Sequence, residues 1–179
     1  MNEKYLIISD IHGSPSFLEK ALNIYVKEKY NKLFILGDLF YSGARNIPPV
    51  DYQPKKIVEL LNSRYQDIIV VKGNCESDVD LMVSKFPIFE IYSTILFDKK
   101  VAFYHGHQNY KKELSRYNDI IFTGHTHISM IQKEGSVIYV NPGSISLPKD
   151  EHHSYISFEK GKITIFDLES LKEINKIIF

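Results

Sequence analysis

Five short segments of the chain carry residue types that hold metal ions: Asp10-x-His12, Gly37-Asp38, Gly73-Asn74, His105-Gly106 and Gly124-His125-x-His127. Each follows directly on a hydrophobic run. Imidazole and carboxylate donors in combination suit Mn, Fe, Zn or Ni better than Mg or Ca, which favour all-oxygen shells. Read as extended backbone, residues two apart face the same side, so Asp10 and His12 reach one ion, and so do His125 and His127. Seven ligands exceed the needs of one tetrahedral ion and fit two ions sharing a carboxylate. The chain has 7 histidines, and His12, His105, His107, His125 and His127 all sit in these segments. Taken singly, each residue has an ordinary explanation: a strand-end turn for Asp10, a cap for Asp38, a left-handed turn for Asn74. Order and placement together carry the inference.

The elements that must position these residues are legible as hydrophobic runs. Tyr5–Ile8, Leu33–Leu36 and Ile68–Val71 are continuously apolar, as expected of strands covered on both faces. Between them, Leu18, Ala21, Leu22, Tyr25 and Val26 form a helical stripe, with Ser16 and Glu19 read as its capping box. Pro54 opens a second helix bearing Ile57, Val58, Leu60 and Leu61. Residues 39–53, with Gly43, Pro48 and Pro49, read as a long functional loop. Short helices are expected over 78–85 and 111–116. Hairpins are expected around 98–100, 134–135 and 160–161, with a strand at Ile120–Phe122 and a last one near 172–178. Strand ends are where ligands gather in open α/β sheets, so the five segments converge. No repeat or linker interrupts the chain, which reads as one domain over residues 1–179.

Composition narrows the function. At 179 residues the chain is long enough for a substantial core. Lys+Arg and Asp+Glu balance at 22 each. That balance argues against a nucleic-acid partner and leaves room for a small phosphorylated substrate. With Cys75 as its one cysteine the chain forms no intrachain disulfide, and no apolar run is long enough for a leader or a membrane span. A cytoplasmic protein without membrane association is expected.

The five segments resemble the signature of calcineurin-like metallophosphoesterases, from residue 5 to about residue 148. Ala44-Arg45-Asn46, the run from Gly73 to Asp80, and Asn141-Pro142-Gly143-Ser144 with Pro148 resemble the small YfcE-type phosphodiesterases within that superfamily. The resemblance implies the metallophosphoesterase fold, an αββα sandwich of two mixed β-sheets flanked by helices. It implies two divalent ions, with Mn²⁺ foremost and Ni²⁺, Zn²⁺ or Fe²⁺ as alternatives. Asp10, His12 and His127 would hold the first and Asn74, His105 and His125 the second, with Asp38 bridging them. A homo-oligomer is compatible with the family.

The expected function is hydrolysis of small phosphodiesters by in-line attack of a hydroxide bridging the two ions. Larger phosphatases of the superfamily have a histidine after the ligand asparagine; here Cys75 stands there, which points away from phosphoproteins and unactivated monoesters. Cys75, Arg45 and His107 are the candidate catalytic or substrate-contacting residues. Arg45 follows Asp38 on the long loop, and its guanidinium suits bidentate phosphate contact. His107 either meets the substrate or orients His105. His152-His153 is expected to face solvent. The alternatives are a non-catalytic interaction scaffold on the same fold, against which the complete ligand set argues, and a nuclease relative.

Overall fold

Alternation along short strands decides the layering. In β1 (Lys4–Ile8), Tyr5 and Ile7 point into one core with Phe34, Phe103 and Phe122, while Leu6 and Ile8 point into another with Leu18, Leu22 and Ile57. A strand buried on both faces has no polar side, which is why its sequence is a continuous apolar run. The same split divides β2 (Lys32–Ile35) and β3 (Ile68–Val71). These strands belong to a computed structural model that describes residues 3–179.

The first sheet runs β12-β11-β10-β1-β2-β3-β4, where β4 is Ile88–Phe89, β10 Ser154–Glu159, β11 Lys162–Asp167 and β12 Glu173–Ile178. Strands β1 to β4 are parallel, and the C-terminal three join them antiparallel through β1 against β10. The second sheet runs β5-β6-β7-β9-β8, with β5 Ile91–Leu96, β6 Lys99–Tyr104, β7 Ile120–Phe122, β8 Ser129–Glu134 and β9 Val137–Pro142. Its inner strands β6, β7 and β9 are parallel and its edges antiparallel. The sheets meet through aromatic rings: Phe103 stacks on Phe34 of the other sheet at 4.3 Å and on Phe122 beside it at 5.0 Å.

Helices α1 (Pro15–Lys27) and α2 (Pro54–Asn62) cover the outer face of the first sheet, and the short α4 (Lys111–Leu114) places Leu114 on the outer face of the second. This is the expected αββα sandwich of two mixed sheets. Helix α3 (Asp78–Val83) buries no residue. Among the described residues, no helix is long and apolar enough to cross a membrane.

Three local expectations change. Helix α1 is capped at Ser14 with Pro15 in its first turn, so Ser16 and Glu19 form no capping box. Its free amide is met instead from the 39–53 loop, where Asp51 accepts from the Ser16 N–H at 2.8 Å and the Ser14 hydroxyl at 2.7 Å. A reciprocal capping box does exist, at Ser77 and Asp80 of α3. Val26 is exposed and Ile24 is buried instead, on the side of the stripe that continues the i, i+3 spacing of Leu18 and Ala21. His153 does not simply face solvent: its ring stacks on Phe17 at 4.0 Å and it bonds the Ile145 carbonyl at 2.9 Å.

Candidate metal centre

Strands β1, β2, β3, β6 and β7 each release a loop at the same end of the sandwich, and the loops are sewn together by their own backbones. The Asp10 N–H donates to Gly37 O at 3.1 Å, His12 N–H to Asp38 O at 2.9 Å, and Gly124 N–H to His105 O at 2.8 Å. The His125 N–H donates to the Asp10 carboxylate at 3.0 Å, linking the two sheets. Close approach demands glycine at two points. A Cβ on Gly73 would lie 2.1 Å from an Asp38 carboxylate oxygen, and one on Gly124 would lie 2.0 Å from the Ser9 hydroxyl.

The ligand residues do not reach each other by strand alternation. Asp10 (φ 55°), His12 (47°), Asp38 (55°), His125 (67°) and His127 (62°) all adopt left-handed backbone. This corrects the extended reading of Asp10-x-His12 and His125-x-His127. Left-handed backbone costs a non-glycine residue roughly 1–2 kcal/mol, and Asp, Asn and His are among the residues that tolerate it best. Clusters of such residues mark functional sites.

Two groups of donors result. In the first, His12 Nε2 and His127 Nε2 stand 3.0 Å apart, and Asp10 Oδ1 lies 3.6 and 3.3 Å from them. All three residues are buried. The other ring nitrogens donate to backbone carbonyls, His12 Nδ1 to Tyr41 O at 2.9 Å and His127 Nδ1 to Leu147 O at 2.6 Å. That fixes the tautomer with both Nε2 lone pairs facing inward, as a backbone carbonyl on the far ring nitrogen does for metal-ligating histidines. Two lone pairs and a carboxylate oxygen cannot satisfy one another, and Asp10 Oδ1 has no hydrogen-bond partner. A cation between them satisfies all three, so the residues present fit a divalent metal.

In the second group, Asn74 Oδ1 lies 3.1 Å from His105 Nε2 and 2.7 Å from His125 Nδ1. His105 donates its Nδ1 proton to Leu36 O at 2.5 Å, again aiming Nε2 into the site. Asp38 stands between the groups, with Oδ1 3.5 Å from His105 and Oδ2 3.8 Å from His12. All seven predicted ligand residues are thus brought together. The second group is more open, since Asn74 is exposed and His125 half-buried, so the centre faces solvent from that side.

The charges are strongly coupled. Burial would raise the Asp10 carboxyl, but the facing imidazoles of His12 and His127, with the charge of His105, outweigh it and hold the group well below the carboxylate range. Burial opposes ionisation of Asp38 too, and His105 prevails. In return the carboxylates lift His105 to about 9 against the effect of its burial. His125 and His107 are lowered, by burial and then by the charge of His105.

Of the candidate substrate contacts, His107 is exposed with its ring 5.4 Å from that of His105, and Leu36 rather than His107 orients His105. Arg45 lines a cavity of about 410 Å³ with Asp38, Asn74, His125 and His127. Cys75 lies in an adjoining cavity, and its N–H donates to Asp38 at 2.9 Å. Burial and the negative charge of Asp38 push its thiol far up, so it stays neutral.

Sequence reasoning passed over Glu76, whose buried carboxylate accepts from the N–H groups of Asp38 (3.0 Å), Leu39 (2.7 Å) and Gly73 (2.5 Å). It ties the β2 and β3 loops together. Its pKa is raised to about 7 by burial and by Asp38. It also passed over Ser146, whose hydroxyl, with that of Ser144 in the turn read as bordering the site, donates to the Asp10 carbonyl, at 3.1 and 2.7 Å respectively. The turn beginning at Asn141 supports the site from behind, with Asn141 donating to Gly124 O at 2.7 Å.

This architecture has known counterparts. The family model of the calcineurin-like phosphoesterase superfamily domain matches residues 4–161. The chain belongs to that superfamily. It is 38% identical over 149 residues to phosphodiesterase YfcE of Escherichia coli K12, covering 82% of this chain and 81% of that protein. The solved structure of E. coli YfcE, described as a phosphoesterase, superposes with a TM-score of 0.93 at 33% identity, covering 98% of each chain. Vps29 of Entamoeba histolytica, solved with Zn²⁺, superposes at 0.67 with 20% identity over 98% of each chain, which speaks for the shared superfamily fold alone.

Proposed function

We propose that this calcineurin-like phosphoesterase is a metal-dependent phosphodiesterase acting on small phosphodiesters. The observation that carries the reading is the convergence of Asp10, His12 and His127 on one point, with inward lone pairs and an orphaned carboxylate oxygen. Asp10, His12 and His127 would hold one cation and Asn74, His105 and His125 a second, with Asp38 serving both and Mn²⁺ the preferred ion. When bound, two such ions supply Lewis acidity to the phosphoryl oxygens and acidify water. The name of YfcE as a phosphodiesterase supports the diester substrate.

The chain's own residues do the rest. The Arg45 guanidinium, on the wall of both cavities beside the centre, donates to phosphate oxygens of the substrate. His107, neutral at physiological pH, contacts the substrate from the open side. Cys75 borders the site as a neutral thiol, so it supplies no acid comparable to imidazolium for a poor leaving group. Two cavities of about 410 Å³ each adjoin Asn74 and share Arg45 and Asn46, which suits a phosphate with two ester arms.

The test is an assay of chelator-stripped protein on bis-p-nitrophenyl phosphate and p-nitrophenyl phosphate, adding back Mn²⁺, Ni²⁺, Zn²⁺ and Mg²⁺ separately. Mn²⁺- or Ni²⁺-dependent cleavage of the diester above the monoester is expected. Asp38→Asn should lose more than the roughly 100-fold seen when outer partners of a metal ligand are changed. Absence of turnover with every metal, in protein that stays folded, overturns the proposal.

A further inference from the structure

The cavity beside Asn74, His125 and His127 carries more positive charge than a simple diester uses. Arg45 stands on one wall and Lys149 on another, and Asp38 is its one acidic lining residue. Lys149 is held there by its backbone: its N–H donates to His127 O at 2.9 Å, while the next residue, Asp150, accepts from the Ser129 N–H at 2.5 Å. The ion pairs among the described residues involve other side chains, so Arg45 and Lys149 keep their charge for the cavity. Asp10 and Asp38 already offset half the charge of two divalent cations. The scissile diester and its attacking nucleophile offset the rest.

We infer that Lys149, with Arg45, forms a subsite for a second phosphate carried on one arm of the diester substrate. The inference rests on the phosphodiesterase reading and names its substrate class: a phosphodiester bearing a terminal phosphomonoester. A dianionic phosphomonoester matches two unpaired cations, with the guanidinium fork making paired hydrogen bonds and the ammonium a point contact. Thr126 also lines this cavity, its hydroxyl accepting from the Asn141 side-chain amide at 3.1 Å. The other arm enters the adjoining cavity, which Arg45 also borders but Lys149 does not.

Thymidine 5′-(p-nitrophenyl phosphate) with and without a 3′-phosphate tests this on the metal-reconstituted protein, read as the ratio of kcat/KM values. The 3′-phosphorylated diester should be preferred by about tenfold or more, as for a charge-assisted contact. Lys149→Met should remove most of that preference through KM, Lys149→Arg should keep it, and Lys160→Met on a distant turn should leave it unchanged. Calorimetry with thymidine 3′,5′-bisphosphate and thymidine 5′-phosphate gives the same comparison without turnover. A ratio near one, or a preference that survives Lys149→Met in both readouts, overturns the subsite. Failure of the parent to cleave bis-p-nitrophenyl phosphate while it binds the bisphosphate through Lys149 overturns the catalytic reading and leaves the subsite standing.

Discussion

At His125 the backbone sits at φ 67° and the ring faces Asn74, so direction toward the centre is obtained at the cost of a strained conformation. Glycine adopts this backbone without penalty. Metal-free His125→Gly should therefore be no less stable than the parent within about 1 kcal/mol, while its diester turnover collapses. Chemical denaturation in chelator checks this, and a loss above about 2 kcal/mol contradicts a strained site. Glu76 acts differently, since its carboxylate collects three backbone N–H groups. A neutral amide offers one acceptor oxygen and turns an NH₂ toward those donors. Glu76→Gln should weaken Mn²⁺ binding by roughly 10–100-fold, measurable by calorimetry. The ligand residues were legible because they end apolar runs in a fixed order. Glu76 and Ser146 were not, because a carboxylate or hydroxyl serving the backbone of a distant loop leaves no spacing pattern.

Among the elements, the 39–53 loop does two jobs: it presents Arg45 and it caps α1 through Asp51. Asp51→Ala should cost about 1 kcal/mol near neutral pH, as for other lost caps. Partial burial opposes ionisation of Asp51, but the Ser16 N–H and the Ser14 hydroxyl prevail and hold its carboxyl below 3.8. A group depressed on folding stabilises fully above its unfolded pKa and loses that contribution as pH falls through its folded one. The stability gap between parent and Asp51→Ala in chelator should thus stay level from about pH 7 to 5 and close below about pH 4. A gap that widens in acid contradicts the capping role. The α1 stripe and the opening of α2 at Pro54 were readable from periodicity and proline. The cap was not, because Ser16 and Glu19 fit the local rule while the bond comes from a loop 35 residues away.

At the scale of the whole molecule, the two sheets are held face to face by Phe34, Phe103 and Phe122, and the ligand loops emerge where their strands end. Phe103→Ala should cost about 3–5 kcal/mol by removing a fully buried ring from between the sheets. The hairpins and helices were visible locally. The pairing of β1 with β10 was not, since strands this distant share no short-range signal, and the expectation of a sandwich came from the family resemblance. The central claim is that both donor groups work together through Asp38. Its most direct test is titration of chelator-stripped protein with Mn²⁺, following bound metal and hydrolysis of bis-p-nitrophenyl phosphate in the same samples. Two ions per chain are expected, with turnover that appears on binding of the second and is lost in Asp38→Asn. Full turnover with one ion or none, or an Asp38→Asn variant as active as the parent, would contradict that claim.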